Sequence, residues 1–197
     1  MTKNPTTLLH KKLTSLATLS DSGMRAFFEL AVQRQLLKGD SILRHGQICR
    51  TIVFVEKGYL RTFVEKDGVD VNTNFTFEGS FTTNLKSLRT SIPSHTTIVA
   101  GEPTTIYEFD KNKLLMLYDS FPEIETFGRN LLEQLLISQE AHANLFKIYS
   151  PTERYLHLLK HHPEIFQRLT LSQLASYLGM ARETLSRVRK NVSQNAL

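Results

Sequence analysis

Residues 170–189 read TLSQLASYLGMARETLSRVR, and the organisation of the whole chain follows from this stretch. Thr170 and Gln173 form a Thr-x-x-Gln capping box, which opens a helix by satisfying two backbone N–H groups reciprocally. Leu174 and Leu178 give that helix an apolar face. Ala175, four residues before Gly179, is small enough to let a second helix cross closely, and glycine supplies the left-handed backbone of a tight turn. Met180, Leu185 and Val188 are expected to complete a small core. That leaves Arg182, Glu183, Ser186, Arg187 and Arg189 projecting from the second helix.

Those side chains suit duplex DNA. A recognition helix enters the major groove with its N-terminal residues against the base edges. Arginine donates two hydrogen bonds to O6 and N7 of guanine, and glutamate accepts from N4 of cytosine. Arg182, Glu183, Ser186 and Arg187 are therefore the expected base-reading set. Glu183 and Arg187, four apart, could instead form an exposed ion pair worth about 0.2–0.5 kcal/mol, and the two roles are compatible. Thr170, Ser172, Arg189 and Lys190 are the expected phosphate contacts, which position a helix without reading sequence. The charge distribution agrees. Residues 151–197 carry seven Lys or Arg and three acids, a net +4 of the chain's total +5. A basic end favours a polyanion.

Upstream, Pro151 stops a long periodic segment and marks a hinge between domains. Ile124, Phe127, Leu131, Leu135, Ser138, His142, Leu145 and Tyr149 are spaced by threes and fours over about seven turns. Phe127, Leu131, Leu135, His142 and Leu145 form the expected dimer seam, although Ser138 and His142 interrupt it. Packing against the chain's own β domain is the competing use of this stripe. Beyond Pro151, helices are expected over about 152–161, 171–178 and 182–191.

Residues 41–109 read as β-structure. Strands are expected over 51–56, 59–65, 95–100 and 104–109, and Asp67-Gly68 is a hairpin turn signal. After it, Val69, Val71, Thr73, Phe75 and Phe77 alternate with polar residues, so they form the expected buried face. Short strands without an intervening long helix suggest a small barrel or sandwich. The first 40 residues read as helical, with Ser20, Asp21 and Ser22 as caps before Met24, Phe27, Phe28 and Ala31. The fold class is α+β. Three domains are expected: a β jelly-roll sensor over 1–120, a dimerisation helix over 121–150 and a helix-turn-helix domain over 151–197.

From about residue 20 to 191 the chain resembles the cyclic-AMP receptor protein and fumarate–nitrate reductase regulator (CRP/FNR) family of bacterial transcription regulators. Lys38-Gly39-Asp40, Gly46 and the run FVEKGYLR from Phe54 to Arg61 carry the resemblance in the β part. In the helix-turn-helix, Arg182-Glu183-Thr184 with Arg187 matches the base-reading run of the cyclic-AMP branch. Glu183, Ser186 and Arg187 also satisfy the E-x-x-S-R pattern of the oxygen-sensing branch. The resemblance implies double-stranded DNA, a second copy of the chain and RNA polymerase as partners, with the effector unidentified. Two recognition helices would lie about 34 Å apart on a two-fold-related site.

Three departures follow. The family's phosphate cassette needs Gly-Glu and then Arg-Ser or Arg-Thr. The corresponding stretches read as Glu78-Gly79-Ser80 and Ser94-His95-Thr96, a degenerate ligand pocket. Burying an anionic phosphate without a cation is costly, so cyclic AMP is expected to bind weakly or not at all. Lys86 or Arg89 could supply a substitute charge, and an ordinary exposed residue is the simpler reading of each. The cluster-binding cysteines of the oxygen-sensing branch are absent, since Cys49 is the single cysteine. The chain also ends soon after the second helix, so the usual wing is expected to be missing or short, and Ala181 replaces a common serine.

No cofactor, metal or catalytic residue is expected, and no nucleophile–base motif or phosphate-cradling loop stands out. Among the seven histidines, only His157 and His161, with Glu153 a turn earlier, have ligand-like spacing. An exposed polar face accounts for them more simply. No run approaches the roughly 20 apolar residues of a membrane span, and residues 1–10 lack an export pattern. A cytoplasmic protein is expected. The alternative function is a small-molecule-binding jelly-roll protein whose C-terminal helices serve association only.

Overall fold

The computed structural model describes residues 7–195. Residues 1–6, part of the stretch expected to be helical, and residues 196–197 lie outside the described residues. The chain divides into two compact units, one ending at Glu133 and the other beginning at Gln134.

The first unit opens with helices α1 (Leu8–Leu16) and α2 (Asp21–Leu30). Ser20 caps α2, its Oγ accepting from the Gly23 N–H at 3.0 Å. The helical expectation for the first 40 residues fails after α2, because Val32–Leu36 is a strand, β1. Its first four residues are exposed, so cross-strand hydrogen bonds hold it rather than an apolar face. Hydropathy periodicity does not register such a strand.

Seven further strands follow: β2 (Ser41–Leu43), β3 (Thr51–Lys57), β4 (Leu60–Lys66), β5 (Val69–Thr76), β6 (Phe81–Thr82), β7 (Thr97–Ala100) and β8 (Thr104–Asp110). They form two four-stranded antiparallel sheets, ordered β1-β8-β3-β6 and β2-β7-β4-β5. Leu36, Val53, Val55, Leu60, Ile98 and Ile106 form the buried apolar cluster of this sandwich. The β4–β5 turn is the Asp-Gly turn read from the sequence, with φ of 52° at Asp67 and 75° at Gly68.

The expected buried face of β5 is corrected near that turn. Val69 and Val71 are exposed, whereas Asn72 is buried and accepts from Arg61 Nη1 at 3.2 Å. The register slips between Thr62 and Phe63, where the partner residue moves from Asn74 to Asn72. One extra residue on β5 inverts the side-chain alternation, so Phe75 points inward on one side of the bulge and Asn72 on the other.

Helix α3 (Leu85–Thr90) lies between β6 and β7, and α4 (Lys111–Ser120) follows β8. The long helix α5 (Pro122–Ile148) has 27 residues and spans the boundary between the units. After it come α6 (Pro151–His161), α7 (Ile165–Arg168), α8 (Leu171–Tyr177) and α9 (Arg182–Asn195). The three helices expected beyond Pro151 are present, with the short α7 added. Ser150 and Glu153 form a capping box around Pro151, which opens α6 where α5 has stopped. No helix among the described residues is long and apolar enough to cross a membrane.

Candidate nucleic-acid interface

The local structure of residues 170–189 follows its residues. Thr170 Oγ1 accepts from the Gln173 N–H at 3.2 Å, and Gln173 Oε1 accepts from the Thr170 N–H at 2.9 Å. At the other end of α8 the Met180 N–H reaches the Ala175 carbonyl at 3.0 Å, closing the turn. Gly179 has a φ of 63°, and a Cβ there would come within 2.9 Å of the Phe146 ring. Both the backbone conformation and the space therefore require glycine. Leu174, Ala175, Leu178, Leu185 and Val188 are buried, while Met180, expected in that core, is only half-buried.

Arg182, Glu183, Ser186, Arg187, Arg189 and Lys190 are all exposed. At about 100° per residue they share one face of α9, opposite Leu185 and Val188. Glu183 and Arg187 form no ion pair with each other or with any other described residue. Thr170 and Ser172 are exposed at the start of α8. The Thr170 hydroxyl oxygen is engaged in the cap, which leaves its O–H as a donor.

The second unit also contains a support that the sequence did not reveal. Arg154 on α6 donates from Nη1 to the Leu178 carbonyl at 2.7 Å, directly beneath the turn. Its guanidinium lies 5.1 Å from the centre of the Phe146 ring on α5. Its Nε is buried without a partner among the described residues. His142, one helical turn earlier on α5, stacks on Tyr177 of α8 with ring centres 5.1 Å apart. Burial holds the His142 pKa below its ordinary value and raises that of Tyr177. The last turns of α5 are thus built into the helix-turn-helix unit. No local pattern announces a contact between residues 24 apart.

The first half of the periodic stripe on α5 is an intramolecular face, whereas Ser138 and Tyr149 in its second half are exposed. Phe127 is 3% exposed and lies 5.5 Å from Phe27 and 5.8 Å from Phe81 between ring centres. Leu131 is buried, and Leu135, His142 and Leu145 are half-buried. Phe127 and Leu131 are therefore corrected from seam residues to core residues, because the first unit's own aromatic core needs them. The exposed apolar residues lie beside that stripe: Leu132, Leu136 and Ile137 are 45%, 68% and 67% exposed. Leu132, Leu136 and the exposed Ala143 fall within about 40° of one another around the helix.

The expected ligand-pocket residues divide into two groups. Glu78, Gly79 and Ser80 form a turn beside β3: Glu78 Oε1 accepts from the Gly58 N–H at 2.7 Å, and Gly79 N–H donates to the Val55 carbonyl at 2.9 Å. Ser94 and Thr96 instead gather around Asn84, whose Nδ2 donates to Ser94 Oγ at 2.8 Å and to Thr96 Oγ1 at 2.9 Å. Asn84 also caps α3 and was missed, since an asparagine in a loop carries no distinguishing signal. A cavity of about 390 Å³ is lined by Asn84, Ser94, His95 and Lys86, which places one lysine on its wall. The ring centres of His157 and His161 are 4.3 Å apart, and Glu153 is spent in the α6 capping box. No group of three side chains among the described residues is placed to hold a metal ion.

The first unit is an eight-stranded antiparallel sandwich and the second contains a helix-turn-helix. Residues 33–121 match the family model of the cyclic nucleotide-binding domain. No curated protein sequence matches the chain. Solved structures do match, among them CLP, the c-di-GMP-responsive global regulator of Xanthomonas campestris, at 20% identity and a TM-score of 0.70. That match covers 90% of this chain and 94% of the other. FixK2 from Bradyrhizobium japonicum matches at 18% identity and TM-score 0.70, covering 84% and 86%. A protein named as a transcriptional regulator of the CRP/FNR family, from Eubacterium rectale, matches at 17% and 0.68, covering 90% and 85%. The chain has the fold of the CRP/FNR transcription regulators.

Proposed function

We propose that this chain is a sequence-specific DNA-binding transcription regulator that acts as a homodimer. The observation that carries this reading is the exposed, unpaired set Arg182, Glu183, Ser186 and Arg187 on one face of α9. Two donors of bidentate geometry and one acceptor suit guanine and cytosine edges in the major groove. Thr170, Ser172, Arg189 and Lys190 contact the flanking phosphates. The work divides as a sensor over residues 1–120, a dimerisation helix over 121–150 and a DNA-reading domain over 151–197. Two copies pair along α5 through Leu132, Leu136 and Ala143, the apolar residues that the monomer leaves uncovered. Cyclic AMP is not the effector, because the Asn84, Ser94 and Thr96 network is neutral and already hydrogen-bonded within itself.

The test is Arg187→Ala, measured by fluorescence anisotropy on a duplex selected from a random-sequence pool and on an unselected duplex. The variant should lose about 1–3 kcal/mol on the selected duplex, with little change on the other. Equal losses on both would show that Arg187 supplies charge and does not read bases.

A further inference from the structure

A cavity of about 580 Å³ opens into the sandwich, and it contains none of the cassette residues described above. That volume is in the range of small-molecule sites, about 300–1,000 Å³. Its deep wall is apolar: Val53 is 1% and Ile98 2% exposed. Two guanidinium groups, Arg34 and Arg50, stand at its exposed rim. Arg34 is paired with Glu108 at 2.8 Å. Arg50 forms no ion pair among the described residues, so the rim holds one uncompensated positive charge.

A second observation lies deeper. Thr82 is 8% exposed and lines the cavity, and its hydroxyl makes no hydrogen bond to any described residue. β6 explains its direction: Phe81 packs outward against Phe127, so the next residue points between the sheets, opposite Val53. A hydroxyl on a cavity wall that is not spent on the protein is available to a ligand.

We propose that this cavity binds a small monoanion with an apolar body, of the carboxylate class. The anionic head meets Arg50, the apolar body lies against Val53 and Ile98, and Thr82 donates or accepts along the way. A dianion lacks its second free cation here, and a cationic ligand would face Arg50. The cavity's existence as a binding site stands apart from DNA reading, whereas its role as the effector site rests on the function proposed above.

Octanoate is the probe, with octanamide as its neutral counterpart, and calorimetry on the full chain is the assay. Octanoate should bind saturably at one per chain, at least tenfold more tightly than octanamide. Arg50→Gln and Thr82→Val should each weaken octanoate at least several-fold, while Lys86→Gln, at the other cavity, should not. Absence of saturable heat at millimolar octanoate, equal binding of the amide, or indifference to Arg50→Gln would overturn the site. Anisotropy on the selected duplex with and without saturating octanoate tests the role separately. A shift in DNA affinity supports the effector assignment, and an unchanged affinity with intact octanoate binding removes that assignment alone.

Discussion

Replacing Arg154 by Met asks whether the turn between α8 and α9 is held from beneath by α6. Methionine retains an apolar stem and removes the guanidinium. The charge-assisted bond to the Leu178 carbonyl at 2.7 Å is lost, at a cost of about 1.5–3 kcal/mol. The approach to the Phe146 ring is lost as well, at about 0.5–1 kcal/mol. An opposing contribution comes from Nε, whose burial without a partner costs the native protein on the order of 1–3 kcal/mol. The balance is a net destabilisation of about 1–2 kcal/mol, because Leu178 is buried and its carbonyl gains no replacement donor. Local opening of the turn should then become about 5–30 times more frequent. Native-state hydrogen exchange reads this directly. The amides of α8 and α9 should exchange faster by that factor, while those of β3 and β8 keep their protection. Unchanged protection at α8 and α9, or a gain, would refute the strut.

Phe127→Ala and Leu136→Glu should separate core from interface. The first should destabilise the first unit by about 3–5 kcal/mol in urea denaturation, since Phe127 packs on Phe27 and Phe81. The second should leave that unit's stability intact and yield monomers in sedimentation; a persisting dimer would show that α5 pairs through another face. His142 supplies a pH prediction. Burial against Tyr177 and Phe146 lowers its pKa in the folded chain below the ordinary 6.5. Its stabilising effect is therefore complete above the unfolded pKa and is lost as pH falls through the folded one. The helix-turn-helix unit should unfold at lower urea at pH 5 than at pH 7.5, and His142→Gln should flatten the difference. An unaltered pH slope in that variant would assign the effect elsewhere.

Much of the candidate interface was legible because its determinants are short-range. The Thr170–Gln173 capping box, Gly179 and the Leu185–Val188 spacing all act within one or two turns, and the structure carries each of them. The expected ligand pocket was less legible. The motif placed Glu78 beside Ser94, whereas hydrogen bonding places Asn84 there and sends Glu78 to Gly58. Two segments that look alike in order of residues can meet different strands, and sequence order does not choose between them.

By itself, the sequence determined the α+β class, the long helix, the helix-turn-helix and the residues that α9 turns outward. These depend on hydrophobic period, caps and turn chemistry, which neighbouring residues settle among themselves. Only the tertiary structure decided that Phe127 belongs to the core of the first unit, that a bulge inverts β5, that Arg154 braces the turn and that Thr82 faces an open cavity. A period records that one face of a helix or strand avoids water. What covers that face depends on residues far away in the chain, and so do the bulges and struts that adjust the fit.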